Sequence, residues 1–247
     1  STVVGGACLS AAAVEGFAGG GRLNAACGVQ STVVGGLSNL ATSANAFIGG
    51  GGINAVHGLS AATVGGCLNI ACGNLSVIGG GGSNKTTAPA VYSAIAGGRC
   101  NIASGLSAFI GAGRSNTASG EGSAIVGGTC SVASGYKSAV VGGHTNSASG
   151  THSFIGGGCN NTASGQYGTI AGGCNNTAGG GNCTVVGGGA SNAAAGNCAT
   201  IAGGYNNSVT AVEGAIGGGN TNAATGIRAT IAGGYRNTAC AHSSTIG

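Results

Sequence analysis

Residues Ser153–Asn176 read SFIGGGCNNTASGQYGTIAGGCNN, one small, uncharged sentence written nearly twice. Ile155 and Ile170 stand fifteen residues apart, each followed by Gly-Gly, then Asn and Ala. Stepping by fifteen from Val3 reaches Ala18, Val33, Ile48, Thr63 and Ile78. Two extra residues enter around Pro89 and the step resumes from Ile95 to Ile170. One more enters near Gly180, before Val186, Ile201, Ile216, Ile231 and Ile246. Three residues after each of these anchors stands Gly, in all 16 complete repeats, and the slot before it is Gly except at Ala112. A column this strict describes an architecture repeated along the whole chain.

The idealised unit is S-x-I-x-G-G-x-x-N-x-A-S-G-x-x. Its halves, S-x-I-x-G and N-x-A-x-G, alternate with period two and end on Gly, the pattern of a short strand closed by a turn. Two strands and two turns per fifteen residues predict an all-β parallel β-solenoid (a β-roll) of about 16 coils in a single array over 1–247, with insertions near 85–92 and 179–183. Stacked about 4.8 Å apart, the coils predict a rod roughly 80 Å long, belonging to a longer array or assembly. A polyproline-II glycine bundle needs Gly at every third residue, which the N-x-A-S stretches break.

Composition agrees with a thin core. Charged residues are 4% of the chain, Gly numbers 58 of 247, Trp and Met are absent, and Glu15, Glu121 and Glu213 are the only acids. So few large side chains cannot fill a thick two-layer interior. The net charge of +4 is scattered, without the basic patch that nucleic acid requires. No apolar run reaches the ~18 residues of a membrane span.

Six residues after the anchor stands Asn in 14 of 16 repeats: Asn24, Asn39, Asn54, Asn69, Asn84, Asn101, Asn116, Asn146, Asn161, Asn176, Asn192, Asn207, Asn222 and Asn237. Its strand phase places it inside, where stacked amides can bond along the column as a ladder. Left unpaired, a buried amide would cost a few kcal/mol.

S-x-I-x-G and N-x-A-S-G resemble the head repeats of YadA-like trimeric autotransporter adhesins, a left-handed parallel β-roll. They are also similar to the N-x-V-x-G repeats of plant ice-binding β-rolls. The first resemblance implies an extracellular adhesive assembly; the second implies ice binding. RTX-type calcium rolls need an Asp in each repeat, and this chain has none.

The residues flanking each anchor point outward. Val4, Phe17, Val34, Phe47, Val64, Val77, Phe109, Val126, Val141, Phe154 and Val185 supply the bulky members of that face. A large residue before the anchor goes with Gly after it, and a small one with Val or Ala, in near alternation. Such compensation is expected of a face moulded to another, so the face is expected to bury itself against copies of the same chain. The second strand's outward residues are small hydroxyls such as Thr117, Ser119, Ser147, Ser149, Thr162 and Ser164, the material of a flat ice-binding face. Leu40, His57, Ile70, Cys72 and Lys85 interrupt it.

Cys159 and Cys174 share a slot in adjacent coils, as do Cys183 and Cys198. One coil spacing suits a disulfide, so both pairs are candidate bridges, implying an oxidising setting. Glu213 and Arg228 share a slot and predict a surface ion pair. Tyr205 and Tyr235 share a turn slot two coils apart, the pattern of exposed turn aromatics in the first place and of part of a ligand-contact ridge in the second. Of the N-x-S/T sequons at Asn74, Asn84, Asn160, Asn175, Asn182 and Asn206, Asn84 beside the Pro89 insertion is the expected glycan acceptor in a eukaryotic secreted chain. The acids lie too far apart for paired carboxylate chemistry, and no His has an acid to orient it. No catalytic residue, metal ligand or cofactor site is expected. The reading is a structural, self-associating solenoid forming a rigid extracellular fibre, stalk or surface assembly, adhesive in the first resemblance, with ice binding as the alternative.

Overall fold

The computed structural model describes residues 1–247. They form an all-β parallel solenoid of about 16 coils with two two-residue strands per coil and no helix. Contacts divide the chain into Ser1–Gly122 and Ser123–Gly247. In the first unit, eight anchor strands run from Thr2–Val3 to Phe109–Ile110, and eight partner strands from Ser10–Ala11 to Thr117–Ala118. The second unit holds nine anchor strands, Ala124–Ile125 to Thr245–Ile246, and eight partner strands, Val132–Ala133 to Thr238–Ala239.

Every strand pairs in parallel with its equivalent one coil away, so the sequence period becomes the hydrogen-bond register. Thr2 faces Phe17 and Phe17 faces Thr32. Across the Pro89 insertion Val77 faces Ala94, and across the Gly180 insertion Thr169 faces Val185. The added residues leave the strands in phase because they are taken up at a corner. A third ladder, not foreseen from the period-two halves, consists of single-residue parallel bridges at the Gly-Gly corner. It links Ala7, Arg22, Leu37 and onward to Arg114 in the first unit, and Thr129, His144, Cys159 and onward to Tyr235 in the second.

The anchors are the core. Ile48, Ile78, Ile95 and Ile110 in the first unit, and Ile125, Ile155, Ile170 and Ile201 in the second, are fully buried, as are the Ala residues facing them, such as Ala41, Ala103, Ala163 and Ala178. An aliphatic column against an alanine column leaves no room for an aromatic ring, which explains the thinness the composition foretold.

The Asn column is buried in the same layer, but its bonding differs from the expected amide-to-amide ladder. Asn161 Nδ2 donates to the carbonyls of Gly157 (2.9 Å) and Gly173 (2.9 Å), in its own coil and the next. Its Oδ1 accepts the backbone N–H of Asn176 (2.9 Å). Asn24, Asn54, Asn69 and Asn192 repeat this arrangement. An amide-to-amide contact occurs at Asn222, whose Nδ2 lies 3.2 Å from Asn207 Oδ1. The backbone wins because the carbonyl of the first corner glycine, such as Gly157, turns inward with no backbone N–H to meet it, while that of the second, such as Gly173, accepts the amide as well as the N–H of Cys159. Each Asn thus pins a corner to the coil above it.

The two glycines of that corner are not equivalent. The second has φ near +90° (Gly36 +95°, Gly158 +88°), a conformation that L side chains avoid. A Cβ on Gly36 or Gly158 would also land on the carbonyl oxygen of the matching glycine one coil on. A Cβ on the first, Gly35 or Gly157, meets open space. Ala112 occupies that first slot, and Asn116 Nδ2 still reaches its carbonyl at 3.3 Å.

Left-handed backbone also occurs without glycine, both at the end of the Gly-Gly corner and at the opposite corner. Leu23 (φ 58°), Gln30 (55°), Ile53 (55°), His152 (55°) and Arg228 (59°) all sit there. Left-handed backbone costs an L residue ~1–2 kcal/mol, and here it is offset by bonding. The N–H of Leu23 donates to Ala7 O (2.9 Å), and that of Arg228 to Val212 O (2.9 Å). The turns are laddered as well as the strands.

Candidate functional site

With the anchors inside, the residues beside them face out. In the first unit Val4, Val34, Val64, Val77, Phe47 and Phe109 are exposed and Phe17 is half-buried; Val64 is 54% exposed and Phe47 38%. In the second, Val126, Val141, Phe154 and Val185 are exposed. Each unit therefore presents an apolar column on its anchor sheet.

The large-small alternation along this face has a cause inside the chain. The Phe17 ring folds over Gly19, where an added Cβ would lie 2.9 Å from Phe17 Cε1, and the Phe47 ring over Gly49 at 3.4 Å. A Cβ at Gly19 or Gly49 would also strike the Val34 or Val64 carbonyl of the next coil. At these two coils ring and glycine are fitted within one chain; at Gly156, beside Phe154, an added Cβ meets the Ala171 carbonyl and no ring. What remains on the outer surface is exposed apolar area.

The corners carry features that the strand pattern did not single out. Leu23, Leu37, Ile53 and Leu68 line the Gly-Gly corner of the first unit, and Val14, Val29, Leu59 and Leu75 line its other edge, all exposed. Their signal was in the sequence, as Leu, Ile or Val recurring in two pairs of adjacent slots, four and five or eleven and twelve residues after the anchor. In the second unit, His152 stacks on Tyr167 (5.1 Å, interplanar 8°) and meets Tyr136 edge-on (5.5 Å), with Lys137 Nζ 5.0 Å from the Tyr136 ring centre. Tyr205 and Tyr235 lie on the third ladder with Asn220 between them.

Cys159 and Cys174 face each other on that ladder and form a disulfide with Cα atoms 4.7 Å apart. Cys183 and Cys198, the other expected bridge, are both free and exposed. They occupy left-handed corners (φ 54° and 55°) off the ladders, so sharing a slot does not bring them face to face as it does the first pair. Asn84 is fully buried, its amide engaged by Gly80 O, Gly98 O and the Asn101 N–H. That corrects its expected role as a glycan acceptor, whereas Asn160, Asn175 and Asn206 stand exposed at corners.

Arg228 Nε donates to Glu213 Oε2 at 2.7 Å. This hydrogen bond and the adjoining charge raise the Arg228 pKa above its ordinary value, on an open surface where such pairs contribute little. Glu15 Oε2 accepts from Gln30 Nε2 (2.7 Å), and His57 Nδ1 lies 2.8 Å from Thr42 Oγ1. No group of three or more His, Cys, Asp or Glu side chains converges as a metal site, and no pocket indents the surface. No helix is long and apolar enough to cross a membrane.

No protein-family model matches the chain, and no curated protein matches it.

Proposed function

We propose that this chain is a structural element that self-associates laterally through the outer face of its anchor sheet, building a rigid extracellular fibre, stalk or surface assembly. The observation that carries this reading is the exposed Val and Phe column. In the first unit these side chains leave on the order of 500 Å² of apolar surface in water, comparable to the largest patch of a typical monomer and most of one partner's share (~800 Å²) of a standard interface. The first unit's apolar corners extend the same chemistry around the coil. A second copy is the favoured occupant because a chain with 4% charged residues carries little charge to keep such surfaces apart.

The Cys159–Cys174 bridge supports an oxidising compartment. The parallel ladders supply stiffness, since stretching a unit along the stack loads many backbone hydrogen bonds together. Ice binding has in its favour the hydroxyl columns of the second unit, around Ser147, Ser149, Thr162 and Ser164. Leu40, His57, Ile70, Cys72 and Lys85 deny the first unit such a face.

Sedimentation velocity over a range of protein concentrations tests the proposal. Self-association should yield species heavier than 22.4 kDa, and Phe47→Ser with Val64→Thr should shift them toward monomer. A wild-type protein that stays monomeric at high concentration refutes it.

A further inference from the structure

The third ladder of the second unit places Tyr205, Asn220 and Tyr235 directly above one another by parallel bridges. Backbone bonds fix this edge. Tyr205 N–H donates to Gly219 O (2.9 Å), Asn220 N–H to Gly234 O (2.8 Å) and Thr221 N–H to Tyr205 O (2.9 Å). The two tyrosines are thus held two strand spacings apart, ~9.6 Å. Both stand well clear of the backbone, at 55% and 61% exposure.

Between the rings the surface is polar. Thr221 Oγ1 donates to Asn220 Oδ1 (2.7 Å) and lies 3.4 Å from Asn206 Nδ2, which leaves the Asn220 amide N–H groups free to donate outward. The Arg236 guanidinium sits 5.0 Å from the Tyr235 ring centre, a cation–π contact that steadies the ring. Aromatic plates at a fixed interval, with amide and hydroxyl groups between them, suit a ligand whose units each offer an apolar C–H face and a rim of hydroxyls. Sugar rings have this character. In an extended β-linked chain alternate rings present the same face, and the two-sugar repeat is close to two solenoid coils.

We infer that the edge formed by Tyr205, Asn206, Asn220, Thr221, Tyr235 and Arg236 binds an extended, uncharged β-linked polysaccharide, with every second sugar stacked on a tyrosine. Binding runs along the stack because the ladder does. Its rigidity spares the protein the ordering cost that weakens most shallow sites. The site lies on a different face from the apolar column, and the inference does not depend on self-association.

The test is co-sedimentation of the full chain with insoluble β-1,4-glucan and, separately, with insoluble chitin. The wild type should pellet with at least one of the two, and the two arms identify the sugar. Tyr205→Ala with Tyr235→Ala should weaken binding about tenfold or more, while Tyr205→Phe with Tyr235→Phe retains most of it. Tyr92→Ala, an exposed tyrosine in the other unit, should leave binding unchanged. Circular dichroism establishes that the variants keep the wild-type fold. A wild type that stays in the supernatant with both polymers, a double alanine variant that binds as well as wild type, or an equal loss in Tyr92→Ala overturns the inference. Sedimentation velocity of the protein alone reports self-association separately, so either proposal can fail without the other.

Discussion

The two corner glycines offer a matched experiment, because Gly157 and Gly158 are neighbours in sequence with opposite steric surroundings. Gly157→Ala places a methyl in open space, in the slot Ala112 fills naturally. It should be neutral, or stabilising by up to ~1 kcal/mol through the reduced freedom of the unfolded chain. Gly158→Ala places the same methyl at φ +88°, costing ~1–3 kcal/mol in backbone strain alone. The methyl would also fall on the Gly173 carbonyl oxygen, and the methyl itself would lie 2.8 Å from Asn161 Nδ2. The Asn161–Gly173 hydrogen bond cannot survive there, and although Asn161 keeps Gly157 O and Gly173 O keeps the Cys159 N–H, losing that bond costs ~0.5–1.5 kcal/mol more, on top of the steric overlap. The sum is about 3 kcal/mol or more for one variant and about zero for its neighbour. Urea unfolding followed by far-ultraviolet circular dichroism measures the difference. Hydrogen exchange at the Asn146, Asn161 and Asn176 amides should report the loss locally, since repeat structures can open coil by coil. Equal stability of the two variants would refute the assignment of the Gly-Gly corner.

Three other outcomes follow from the geometry. Ser138 is buried with an Oγ that has no hydrogen-bond partner, and Ala108 and Ala199 fill the same slot elsewhere. Ser138→Ala should therefore raise the unfolding free energy by about 1 kcal/mol, measured in urea. Alkylation in denaturant without reductant should label nine cysteines, and with reductant all eleven, the difference mapping to Cys159 and Cys174 by mass spectrometry. Expressed through a eukaryotic secretory route, the folded chain should carry any N-linked glycans at exposed corners such as Asn160, Asn175 and Asn206. Asn84 should remain bare, as peptide mapping after glycosidase treatment would show.

The sequence disclosed the strand phases because burial is written with period two: Ile155 must be inside if Phe154 is outside. It also placed Asn161 in the core, since phase alone decides that. It did not disclose what the amide bonds to, because an amide ladder and a backbone clasp need the same residue in the same slot. Corners were the least legible part. Nothing about Leu23, Ile53 or Arg228 as residue types announces left-handed backbone, and their stabilising bonds go to carbonyls fifteen or more residues back. Gly-Gly hid the difference between its members, with Ala112 as the single clue. Cys159 with Cys174 and Cys183 with Cys198 looked alike for the same reason: slot identity gives the coil spacing, whereas ladder or corner decides where the sulfurs point. The alternation of Phe17 with Gly19 was legible, but its cause was not. A ring lying on its own strand and a ring seated in a partner leave the same trace in a sequence.

The left-handed corners have one more consequence. Their amides are tied to the preceding coil by the backbone alone, so Cys, Glu, Leu, Tyr and Arg all occupy them on an unchanged frame. Outward chemistry at these points is decoupled from the interior that sets the fold. Selection, or an engineer, can rewrite the decoration coil by coil at a pitch fixed by the stacking. The molecule works as a ruled peg-board, on which charge, thiol or aromatic groups can be hung at chosen heights without disturbing what lies behind.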